Sequence, residues 1–310
     1  MQVLCTTVPR ELAGRSVAAV LRERFSVSSA LLRRTREVPG AILRNGAPVA
    51  LRALCAEGDT LHMDVRDLCP PHPQTDAVPA RVLWRDEWML FADKPGGLLS
   101  HASTFTPGEE TMEERVAALP GGISAYHPVN RLDRGTSGVM CVALCGYLHE
   151  RLKVQLHTPD FVRAYLCLCD GEPPERHGTV SAPIGRADGS VLARCVRPDG
   201  KPAETEWHCL SAGNGRSLLL VLPRTGRTHQ IRVHMREISC PLAGDFLYGS
   251  EESFSRTALH SALAVVRHPV SGERITVFAP PPEDFAALAR TSGLNIPNSE
   301  EVLLCLSRFA

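Results

Sequence analysis

From residue 82 to residue 278 the chain repeats one pattern, an apolar run of strand length followed by a turn. Runs at 82–85 and 88–92 flank Asp86-Glu87. Others fall at 139–144, 163–169, 179–184, 204–210, 217–222, 258–267 and 273–278. Few helical segments interrupt them: Thr111-Met-Glu-Glu114 is a capping box opening a short helix to Leu119, and 147–156 is a second helical stretch. Parallel neighbours each need a crossover of about a dozen residues or more. Consecutive strands on short turns therefore predict an α+β fold with a central mixed, largely antiparallel sheet, and argue against a doubly wound one.

Composition supports a core for such a sheet. Of 310 residues, 44% are hydrophobic and 22% charged, but only 5% are aromatic, so Leu, Val, Ala and Ile must fill it. No apolar run approaches the roughly 20 residues of a membrane helix, and the first residues lack a basic-then-apolar leader. Eleven cysteines lack zinc-site spacing: neither Cys141 with Cys145 nor Cys167 with Cys169 has a second close pair. They read as free thiols of a reducing cytoplasm. Formal charge is zero, yet the first 66 residues carry ten arginines against six acids. That excess suits a module meeting an anion.

Residues 67–79 hold four prolines and no periodicity, and are expected to be a linker with few cross-contacts. Before it, Val17, Val20, Leu21 and Phe25 share a helical face. Ser28 caps a second helix, with Leu31 and Leu32 inward and Arg33, Arg34 and Arg36 outward. Asn45-Gly46 turns a hairpin, and Gly58-Asp59 precedes a last strand at 60–65. Residues 1–66 resemble the S-four-like RNA-binding domain, a small α/β module. The resemblance implies that Arg33, Arg34, Arg36 and Arg44 face phosphates; the plainer reading is a solvated charged face. Residues 80–290 form the expected main domain, and 291–310 a C-terminal tail.

Chemistry-bearing side chains concentrate in two stretches. Asn130-Arg131-Leu132-Asp133-Arg134-Gly135-Thr136-Ser137-Gly138 is a charged, hydroxyl-rich loop delivered straight into the apolar strand 139–144. An Asp-turn explains Asp133 alone but not the whole loop. The second stretch is Thr225-Gly226-Arg227-Thr228-His229-Gln230-Ile231-Arg232-Val233-His234-Met235-Arg236. As a strand it alternates Ile231, Val233 and Met235; as a helix capped by Thr228 it stripes Ile231, Met235 and Ile238. His229 and His234 stand five apart, not the four that put two ligands on one helical face. With no acid placed as third ligand, metal hydrolysis is set aside.

In order along the chain, these stretches resemble the RluA/RluD-type pseudouridine synthases. Tyr165 and Pro241-Leu-Ala-Gly244-Asp245 with Tyr248 belong to the same pattern. Asp93-Lys94-Pro95-Gly96-Gly97, Arg256 with Leu259-His260, and His268-Pro269 extend the match over residues 80–285. The resemblance implies a pseudouridine synthase fold that isomerises uridines of structured RNA, ribosomal ahead of transfer RNA, after base flipping. It implies Asp133 as nucleophile, Arg232 as its partner and Tyr165 stacked on the uracil. Ile231 would wall the base, and Arg131, Arg134 and Arg227 would contact RNA. Neither metal nor organic cofactor is implied. The expected protein is a cytoplasmic monomer whose partner is RNA, with no membrane and no obligatory protein partner.

Three positions depart from the family pattern. Asn130 replaces a frequent His, Gly135 a frequent Asp, and Arg163 a Lys. The trio of Asp133, Tyr165 and Arg232 is intact, which favours an active enzyme. The departures keep a second reading, a catalytically inactive RNA-binding or ribosome-assembly protein on the same fold. A hydrolase pairing Asp133 with His229 has neither a nucleophile elbow nor a metal set behind it.

Overall fold

The computed structural model describes residues 2–68, 75–102, 106–249 and 254–307. Its N-terminal unit is an antiparallel sheet of β1 (Val3–Thr7), β2 (Ile42–Arg44), β3 (Ala47–Pro48) and β4 (Thr60–Asp64), in the order β1-β4-β2-β3. Asn45 and Gly46 both take positive φ (51° and 80°), as a tight hairpin turn demands. Ser16 and Ser28 cap α1 (Val17–Phe25) and α2 (Ser29–Arg36) by accepting the N–H groups of Ala19 and Leu31. α2 buries Leu31 and Leu32 and turns Arg33, Arg34 and Arg36 outward.

The main sheet contains β5 (Arg81–Arg85), β6 (Met89–Lys94), β7 (His127–Pro128), β8 (Ser137–Ala143), β9 (Phe161–Asp170) and β10 (His177–Ser181). After a separate hairpin of β11 (Ile184–Arg186) and β12 (Arg194–Val196), it resumes with β13 (Glu204–Gly213), β14 (Arg216–Pro223), β15 (Leu259–Arg267) and β16 (Arg274–Phe278). Its order is β10-β13-β14-β9-β15-β8-β6-β5, with β16 beside β15 and β7 beside β8. Among the described strands of this sheet only β8 and β15 pair in parallel. The α+β, largely antiparallel expectation stands. The single strand expected at 179–184 is two strands, because Pro183 cannot donate to a continuing ladder.

Five further α-helices lie among the described residues: α3 (Met112–Ala117), with its Thr111 capping box, α4 (Gly146–Gln155), α5 (Gln230–Glu237), α6 (Glu283–Thr291) and α7 (Ser299–Leu306). Both faces of the sheet are covered, so its central strands read as unbroken apolar runs. Alternation still sorts the side chains. Tyr165, Cys167, Cys169, Leu219 and Val221 join Ile231 and Met235 of α5 on one face. Leu166, Leu168, Leu218 and Leu220 join Phe285 of α6 and Val302 of α7 on the other. Within the segment expected as a tail, Ser299–Leu306 is a packed helix, capped by Asn298 and anchored by the fully buried Val302.

A third apolar cluster joins the two sheets. It runs from Val20, Leu21 and Leu31 through Phe91 and Cys141 to Tyr147, Leu148 and Leu152. Gln2 Nε2 donates to the carbonyls of Glu87 and Leu144 (2.9 and 3.1 Å), and the Tyr147 hydroxyl to that of Phe25 (3.0 Å). Asp67, its side chain 7% exposed, accepts from Gly146 N (3.2 Å) and pairs with His127 (2.6 Å) and Arg34 (3.5 Å). The expectation of few cross-contacts at the linker is corrected: the two units share a core, and Asp67, the first linker residue, bonds to both. Residues 69–74 of that linker, Cys69 among them, lie outside the described residues. The ten described cysteines are free, and six are buried. No helix of the described residues is long and apolar enough to cross a membrane.

Candidate active site

The two chemistry-bearing stretches meet because of strand register. One row of the ladder runs Val221, Tyr165, Ser261 and Gly138 across β14, β9, β15 and β8. The loop entering β8 and the loop leaving β14 thus converge at the level of Tyr165. Between them opens a cleft of about 900 Å³, lined by Asp133, Tyr165, Arg227, His229 and Arg232 among others.

Contacts of Asn130, Ser100, Lys94 and Gly135 fix the loop carrying Asp133. Buried Asn130 accepts from Cys141 N (2.8 Å) and donates to Val139 O (3.4 Å). The Ser100 hydroxyl donates to Leu132 O (2.7 Å) and accepts Leu132 N (3.2 Å). Fully buried Lys94 donates to the carbonyls of Pro95 (2.9 Å) and Arg134 (3.1 Å). Burial pushes its amine down to about 7, opposed by the negative charge of Asp133. Gly135 lies against the Thr257 backbone, where a Cβ would come within 3.2 Å of Thr257 N, and its carbonyl accepts from Arg256 (2.8 Å). Asn130 is thereby a bolt between loop and strand, and position 135 has little room for a side chain.

The facing loop is held by Gln230. Its amide oxygen accepts from Arg227 N (2.9 Å) and the Thr225 hydroxyl (2.7 Å), while its nitrogen donates to Glu204 O (2.8 Å) and the Thr205 hydroxyl (2.9 Å). Of the two sequence alternatives the helix forms, but Thr228 does not cap it. The cap is His229 in the left-handed region (φ 57°), a conformation that redirects the chain from loop to helix. His234 faces away from His229, onto the Thr205 hydroxyl (2.8 Å) and Ala182 O (3.0 Å).

Arg232, only 4% exposed, places Nη1 3.3 Å from Asp133 Oδ2. Its Nε and Nη2 grip the fully buried Asp245, each at 2.7 Å. The Tyr248 ring lies 5.0 Å from the guanidinium carbon and Phe246 5.7 Å. Asp133 keeps about a third of its side chain exposed to the cleft. Burial raises the Tyr165 phenol, while neighbouring Arg163 and hydrogen bonding with Ser261 and Asn130 oppose the shift. Arg163 is itself buried, donating to the carbonyls of Leu156 (3.3 Å) and Pro223 (3.2 Å); burial lowers its pKa.

Ile231 lines the cleft, as do exposed Arg131 and half-buried Arg227, which donates to Pro202 O (2.9 Å). Arg134 turns outside the cleft lining to Glu109 (2.9 Å) and Gly97 O (3.1 Å). Arg33, Arg34 and Arg36 sit on α2 of the other unit. Arg44 is engaged within that unit by Leu54 O (2.6 Å) and Asp59 (3.8 Å). The uridine site expected from the sequence includes neither Asp245 nor His229. The signal for Asp245 was available: a guanidinium buried on one helix needs a carboxylate from elsewhere, and Gly244-Asp245 is the nearest acidic motif. His229 carried no such signal, because its placement depends on a backbone conformation.

Residues 89–237 match the RNA pseudouridylate synthase family. The chain is 34% identical over 303 residues to the ribosomal large subunit pseudouridine synthase D of Xanthomonas campestris, covering 91% of this chain and 90% of that one. YjbO of Bacillus subtilis, an uncharacterised RNA pseudouridine synthase, is 33% identical over 275 residues, 86% of this chain and 95% of its own. The structure of human RNA pseudouridylate synthase domain containing 1 aligns with a TM-score of 0.59 at 23% identity, over 77% of this chain and 98% of that one, and shows the shared fold. With relatives above 30% identity along most of its length, the chain belongs to the RNA pseudouridylate synthase family.

Proposed function

We propose that this chain converts a uridine of structured ribosomal RNA to pseudouridine with Asp133 as nucleophile. The observation that carries the reading is Asp133 in an open cleft, paired with a guanidinium that a buried carboxylate holds from behind. The name of the Xanthomonas campestris relative favours ribosomal RNA. The target nucleotide leaves its stack, at a cost of a few kcal/mol, and enters the cleft beside Tyr165 and Ile231. Asp133 attacks ribose C1′, and the bond from C1′ to uracil N1 breaks as the Asp133–C1′ bond forms. The base turns, the Asp133–C1′ bond breaks as C1′ bonds to C5, the C5 proton leaves and N1 ends protonated, which returns Asp133 as a carboxylate. No redox change occurs. Arg232 aims the carboxylate through the fork geometry that suits arginine. Arg131 and Arg227 meet RNA at the cleft, and the N-terminal unit serves as an RNA-binding arm through Arg33 and Arg36.

Tritium release from RNA labelled at uracil C5 tests the reading. The wild type is expected to release label. Asp133→Asn, which keeps the shape and loses the nucleophile, is expected to release none while binding RNA nearly as well. RNA binding by the wild type without release would assign the inactive, assembly-factor reading instead.

A further inference from the structure

We propose that His229 is a second positioning residue for Asp133, donating from Nε2 to the carboxylate oxygen that Arg232 holds and leaving Oδ1 to attack. The inference rests on the function proposed above. Both close approaches fall on one atom: Arg232 Nη1 lies 3.3 Å from Asp133 Oδ2, and His229 Nε2 lies 3.9 Å from it. The second distance is one small closure from a hydrogen bond, and such contacts commonly tighten when substrate fills a cleft.

The proton on His229 is placed by its other neighbour. Nδ1 lies 2.9 Å from the Tyr248 hydroxyl oxygen. That oxygen accepts the Arg194 N–H at 2.7 Å and keeps its own proton to offer Nδ1. The ring hydrogen then belongs on Nε2, facing Asp133. The charged and titratable groups around the ring are Asp133, Arg232, Asp245, Arg194 and Tyr248. Burial, with Arg232 and Arg194, lowers the imidazole pKa against the opposing carboxylates, which favours a neutral ring at neutral pH. The backbone supports a positional role. A histidine held at φ 57° is in a sparsely populated region, and such strain is typical of functional sites.

The test combines single-turnover pseudouridine formation, RNA affinity and imidazole ¹⁵N NMR on the full chain. His229→Leu is expected to slow the chemical step up to about a hundredfold with RNA affinity unchanged. His229→Gln, whose side-chain amide can donate from a similar place, should recover most of the rate. Tyr248→Phe, which removes the lock on the ring proton, should give an intermediate loss. Wild-type NMR should show a protonated Nε2 and a bare Nδ1. A His229→Leu variant at the wild-type rate, equal losses in the Leu and Gln variants, or a protonated Nδ1 overturns the inference. Should His229→Leu fail to fold, the wild-type spectrum and the Tyr248→Phe rate still decide it. A wild type that forms no pseudouridine overturns the proposed function itself, and this inference with it.

Discussion

The guanidinium of Arg232 is 4% exposed, and two carboxylates meet its charge. Asp245 takes both edge nitrogens in the buried interior, while Asp133 takes the remaining one at the cleft. Removing Arg232 would therefore do more than disarm Asp133; it would leave Asp245 as an unpaired buried charge. Arg232→Met is expected to lose chemical rate more than RNA affinity and also about 3–5 kcal/mol of stability, read by urea unfolding. Arg227→Met, which gives up a single carbonyl contact, should keep both rate and stability closer to wild type.

Lys94 makes the second argument at this scale. Its amine is lowered to about 7 in the folded chain against about 10.4 unfolded, so between those values the unfolded chain binds the extra proton. Stability from this group must rise with pH from 7 towards 10 and lie flat below 7. Lys94→Met should abolish that rise, measured by denaturant unfolding at pH 6, 8 and 9.5. Equal slopes in the two proteins would contradict it.

At the scale of elements, the site depends on how β8 meets β15. Gly138 takes φ 104°, and a Cβ there would come within 2.2 Å of the Ser261 carbonyl oxygen. No rotamer relieves a clash with backbone, so only glycine lets the parallel pair close and set β8 beside Ser261 of β15, itself paired with Tyr165. Gly138→Ala should cost about 2–3 kcal/mol or more, seen as a lowered thermal midpoint. RNA affinity should fall with it, because the Asp133 loop is the direct continuation of that strand.

For the whole molecule, the shared core decides what can be removed. Deleting residues 1–66 would uncover Phe91, Cys141, Tyr147, Leu148 and Leu152 together. A contiguous apolar patch of this kind promotes association. The truncated protein is expected to aggregate or elute as large species in gel filtration, whereas the full chain should not. A monomeric, folded truncation would show that the interface between the units is expendable.

Local physics alone settled most of the strands, the Asn45-Gly46 hairpin, the serine caps of α1 and α2 and the Thr111 capping box. Each depends on a few adjacent residues: alternation, positive φ or a hydroxyl reaching a free N–H. The motif stretches likewise marked Asp133, Tyr165 and Arg232 from the chain alone, through family resemblance. What the residues could not decide was non-local. Asp133 and Arg232 stand 99 positions apart, and only the register of β14, β9, β15 and β8 brings their loops to one level. The left-handed cap at His229 and the core beneath the linker are of the same kind. Each is a property of which surfaces face one another, and a pattern of neighbours along the chain carries no record of neighbours in space.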